Sequence, residues 1–61
     1  MKKVYIIKDL ELAKYYFNAG FGRITWHEDI RLAEELESLE VAESVIVELF
    51  PGYYEIIVVY V

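Results

Sequence analysis

The chain has 61 residues, 57% of them hydrophobic, and no cysteine, so one small domain must hold together without disulfides or thiolate metal sites. Its formal charge of −5 is uneven: residues 1–25 carry five basic side chains against two acids, and residues 26–61 carry Arg31 against nine. Nucleic-acid binding depends on neutralising phosphates, so this balance argues against direct contact with DNA or RNA.

No stretch approaches the roughly 20 apolar residues that span a bilayer. Met1-Lys2-Lys3 is followed by too short an apolar run for a secretory signal, so a cytoplasmic protein is expected. Abundant Glu, Tyr, Ile and Val, with no glutamine and a single asparagine, tilt the composition toward a thermophilic source.

Lys3-Val4-Tyr5-Ile6-Ile7-Lys8 is β-branched and bounded by lysines, which predicts a first strand. Asp9 suits a helix N-cap, and Leu10, Ala13 and Phe17 fall on one stripe of a short helix ending at Gly20. Phe21-Gly22-Arg23-Ile24 connects to a second helix, predicted from Trp26 to about Glu40. There Thr25 and Glu28 have capping-box spacing, and Leu32, Leu36 and Leu39 line one face. Val45–Phe50 and Tyr53–Val61 read as two strands around a Pro51-Gly52 turn. The expected fold is therefore α+β over residues 1–61, in the order β-α-α-β-β. Its mixed three-stranded sheet has the order 2-3-1, with both helices on one face and the last strand central.

Several features bear on function. The predicted hairpin is apolar on both faces, and a sheet covered by helices on one side leaves the other wet. Ile46, Phe50, Tyr53, Ile57 and Val59 are thus the expected self-association or partner face, unless the helices divide to cover both sides of a monomer. Glu34, Glu37, Glu40 and Glu43 step by three along the second predicted helix. They form either a solvated face or an acidic ridge that docks on a basic protein surface.

Glu48 and Glu55 face each other in the simplest hairpin register, and His27 is the only histidine. An enzyme or metal site built on these three is the weaker reading, because no nucleophile triad or histidine–carboxylate metal pattern surrounds them. Gly20-Phe21-Gly22-Arg23 lacks the setting of a phosphate loop. Tyr15, Tyr16, Phe17, Phe21 and Trp26 are expected mainly in the core.

These features favour a non-enzymatic, cofactor-free and metal-free protein-interaction module, expected to be a homodimer. At the level of class, small acidic cysteine-free α+β chains resemble inhibitors that phages and mobile elements use against nucleases and CRISPR complexes. That resemblance implies steric and electrostatic blocking of a nucleic-acid-handling protein, in the manner of a DNA mimic. The alternative is an antitoxin-like or regulatory subunit that binds by strand addition at its sheet edge.

Overall fold

The lysine-bounded run at the N-terminus does form a strand: Lys3–Asp9 is β1 in the computed structural model, which describes every residue from Met1 to Val61. It is followed by β2 (Lys14–Asn18), β3 (Ile24–His27), a single 3-10 turn (Ile30–Leu32), helix α1 (Leu39–Leu49) and β4 (Tyr54–Tyr60). The four strands make one sheet in the order β3-β2-β1-β4, and each pairing is antiparallel.

This corrects the expected three-stranded mixed sheet with two helices. The first predicted helix is absent, although its cap is partly present. Asp9 Oδ1 accepts from the backbone N–H groups of Glu11 (2.8 Å) and Leu12 (3.1 Å), but only one turn forms. Ala13 then takes a left-handed φ of 55°, which reverses the chain into β2. Phe17, expected on a helical stripe, and its neighbours Tyr15 and Tyr16 alternate across the sheet instead.

The second predicted helix is replaced by β3, the 3-10 turn and an extended connection. Thr25 and His27 lie in β3, so Thr25 caps nothing. The predicted hairpin is also absent. Val45–Leu49 closes α1, so the Pro51-Gly52 turn joins a helix to a strand. The β-branched run Val45-Ile46-Val47 suggests a strand, yet Ala42, Val45, Ile46 and Leu49 follow the i, i+3, i+4, i+7 spacing of a helix face. Burial of that face outweighs the small propensity cost. Ser38 begins this helix, its side chain accepting from Val41 N at 3.2 Å.

β1 and β2 pair only near their turn, through Lys8↔Tyr15 and Asp9↔Lys14. Beyond that point the segment 34–36 is inserted between them. Tyr5 and Leu36 exchange two backbone hydrogen bonds of 2.9 Å, and Glu34 N donates to Tyr16 O at 2.8 Å. The insert satisfies strand groups that the divergence of β1 and β2 leaves open.

The helix-facing core consists of Ile7, Tyr16, Leu36 and Ala42, with Tyr5, Trp26, Val45, Ile46, Leu49, Tyr54 and Ile56 packed around it. Tyr54 ties the two ends of the last turn together. Its hydroxyl donates to Leu49 O at 3.2 Å, and its ring stacks on Trp26 with centroids 6.1 Å apart. Side chains alternate along a strand, so Val4 and Ile6 point to the opposite face, beside Val59 and Ile57. Val4 and Ile6 are also buried.

Candidate functional site

β4 was expected at the centre of the sheet because it is almost continuously apolar. It lies instead at an edge, paired only with β1. Its ladder begins with two reciprocal bonds, Lys2 N to Val61 O (2.7 Å) and Val61 N to Lys2 O (2.8 Å). It ends beyond the strand with Leu10 N donating to Tyr53 O (2.9 Å).

Antiparallel pairs alternate between hydrogen-bonded and non-hydrogen-bonded positions. In this register Glu55, Ile57 and Val59 therefore bond to β1. The backbone groups of Tyr54, Ile56, Val58 and Tyr60 point away from the sheet, one N–H and one C=O from each. These are the groups that an added strand would use.

The side chains leave that edge open. Glu55 is the only charged residue of β4, which has no lysine, arginine or proline to discourage pairing. Glu55 itself lies directly opposite Lys8 on the face away from the helix. On the helix-bearing face Val58 and Tyr60 remain 43% and 61% exposed. The other sheet edge, β3, has only four residues, so the long apolar edge is on one side alone.

A second apolar region lies at the turn end of β4. Phe50, Pro51, Gly52, Tyr53 and Glu11 line an open cleft of about 340 Å³, and Phe50 and Tyr53 are 74% and 69% exposed. Of the predicted contact residues, Phe50 and Tyr53 meet here. Ile57 and Val59 sit half-buried on the sheet face away from α1, and Ile46 packs under the helix against the core. The set does not form one face, because the hairpin that would have aligned it is a helix and a strand.

The predicted acidic ridge is also divided. Glu40 and Glu43 lie exposed on α1, and Glu37 is exposed in the connection before it. Glu34 is half-buried in the insert, where its Oε1 accepts from Asn18 N at 3.1 Å. Exposed Glu35 adds to the remaining acidic surface.

Glu48, Glu55 and His27 do not converge. Glu48 is on α1, while Glu55, Lys8, Tyr15 and His27 run in one row across β4, β1, β2 and β3. Three strand spacings put Glu55 and His27 roughly 14 Å apart. His27 Nε2 is 2.9 Å from Thr25 Oγ1, and its ring meets Phe17 edge-on. No group of three or more His, Asp and Glu side chains is arranged to hold a metal ion.

The perturbed acid–base groups belong to local structure. The Arg31 guanidinium and backbone N–H hold Asp29 down to about 2, through a clasp whose shortest contact is 2.7 Å. Burial raises the Tyr16 hydroxyl, opposed by a hydrogen bond with Asn18 and reinforced by the charges of Glu34 and Glu48. Burial also raises Tyr54, with smaller contributions from Asp9 and Glu11.

Sequence reasoning missed the outward position of Val58 and Tyr60. The available signal was the apolar run Ile56–Val61, without a charged or proline gatekeeper, which also fits a central strand. No helix is long and apolar enough to cross a membrane. No protein-family model matches the chain, and comparison with curated proteins and with solved structures gave no match.

Proposed function

We propose that this chain is a non-enzymatic protein-interaction module that recruits its partner by strand addition along β4. The observation carrying this reading is the row of outward backbone groups at Tyr54, Ile56, Val58 and Tyr60 on an apolar edge. Main-chain hydrogen bonds supply affinity in such a contact, and alternate side chains supply selectivity. The role fits a regulatory or antitoxin-like subunit working in the cytoplasm.

The exposed carboxylates Glu35, Glu37, Glu40 and Glu43 favour a second reading. Here the chain is a small acidic inhibitor of a nucleic-acid-handling protein, of the anti-defence type, acting by steric and electrostatic blocking of a basic groove.

Peptides selected from a random display library against the full chain distinguish the two. Under strand addition, bound peptides slow hydrogen exchange at the amides of Ile56, Val58 and Tyr60. Val58→Pro then weakens binding at least tenfold, because it removes an outward donor while leaving the β1 ladder intact. Lysine reversals at Glu37, Glu40 and Glu43 have little effect. If binding instead survives Val58→Pro, is lost on those reversals and falls steeply with salt, strand addition is wrong and the acidic surface is the site.

A further inference from the structure

We propose that the strand completing the β4 edge is β4 of a second copy of this chain, antiparallel about a two-fold axis through Ile57. This rests on the reading of β4 as a docking edge and names its occupant.

The β4 edge is self-complementary. Outward groups occur at residues 54, 56, 58 and 60. An antiparallel partner must therefore place even positions opposite even positions. Centring the pair on Ile57 sets Tyr54 against the partner's Tyr60 and Ile56 against the partner's Val58. Every outward N–H and C=O of both strands then finds a partner. Sliding the pair by one hydrogen-bonding step, so that Ile56 or Val58 faces itself, leaves a terminal tyrosine of each strand unpaired.

Charge supports the same register. Glu55 falls opposite the partner's Val59, so the two Glu55 carboxylates lie four residues apart along the ladder, roughly 14 Å. Centring on Ile56 halves that separation. On the inner side Glu55 already faces Lys8. The strand thus brings no like charges directly opposite each other, which would oppose pairing.

The chain is also somewhat open: its total accessible surface is 4515 Å², against about 4100 Å² for a compact monomer of its mass. In the centred register Val58 and Tyr60, open on the helix-bearing face, lie beside the partner's Ile56 and Tyr54. A two-fold axis perpendicular to the sheet places both helices on that face of a continuous eight-stranded sheet. One strand pairing is a small interface, so the dimer is a weak one. Each copy carries −5, so added salt screens their repulsion and strengthens association.

The test is sedimentation equilibrium of the full chain from low micromolar to near-millimolar concentration, with NMR on a mixture of isotope-labelled and unlabelled chains. The expected result is a dimer that tightens with salt and slows exchange at the Ile56, Val58 and Tyr60 amides. It also gives an intermolecular contact between the α-protons of Glu55 and Val59. Val58→Pro abolishes it. Val58→Lys, which alters only an exposed side chain, weakens it at least tenfold and serves if the proline variant does not fold.

A chain that stays monomeric near millimolar concentration overturns the proposal. If its Ile56, Val58 and Tyr60 amides are still protected by selected peptides, strand addition survives with a different occupant. A dimer unaffected by either Val58 variant, or one lacking the Glu55–Val59 contact, also overturns the proposed pairing.

Discussion

Gly52 is required by its closeness to Tyr54. A β-carbon at position 52 would lie 2.5 Å from the Tyr54 hydroxyl oxygen and 2.6 Å from the ring carbon bearing it. The ring cannot swing aside freely, because it stacks on Trp26 and its hydroxyl donates to Leu49 O. Overpacking of this kind costs about 1–3 kcal/mol, so Gly52→Ala should lower the urea midpoint with little change in m-value. An unchanged midpoint would show that the Tyr54 anchor is looser than its contacts indicate. Gly22 has a different role. Its φ of +74° follows Phe21 at +53°, and the two positive values are those required at the centre of a type I′ turn. Phe21 is fully exposed there and is not part of the expected aromatic core.

At the level of elements, α1 depends on its cap as well as on its apolar face. Ser38→Ala leaves the Val41 N–H without its side-chain acceptor and should cost about 1 kcal/mol. That corresponds to roughly 4–8 °C in melting temperature for a domain of this size, while Ser38→Asn should keep most of the stability. Equal losses in both variants would remove the capping account.

β1 and β4 were legible in the sequence because each is built on a run of β-branched and aromatic residues. Asp9 and Pro51-Gly52 were legible as places where the chain changes direction. What those places connect was not. Val45–Leu49 has a β-branched preference that points the wrong way, whereas in Lys14–Asn18 the apolar spacing suggests a helix although Tyr-Tyr-Phe favours a strand. Contacts from elsewhere decide both: Trp26 against Tyr16, and Ile7 and Leu36 with Ala42. The candidate edge was half legible. Its apolar character is written in Ile56–Val61, but its exposure depends on β2 and the 34–36 insert lying on the other side of β1.

For the whole molecule, buried Tyr16 and half-buried Tyr54 make stability depend on alkaline pH. The hydroxyls of Tyr16 and Tyr54 are both raised above the ordinary tyrosine value of 10.0, so the folded state holds their protons more tightly than the unfolded state. Their contribution is fully present below the unfolded value and is lost as pH rises through the folded values. Urea midpoints should therefore fall above about pH 10, and Tyr16→Phe should flatten part of that fall. A wild-type midpoint independent of pH in this range would contradict the burial assigned to Tyr16.

The insert also makes the middle of the sheet non-local in sequence. Residues 34–36 bond to Tyr5 and Tyr16, in strands that precede them in the chain. β1 and β2 pair with each other only at their turn, and the open fork beyond it is filled by a segment about twenty residues further on. Contacts of that separation carry a loop-closure cost that a simple meander avoids, so the middle of the sheet should form more slowly than the β1–β2 turn.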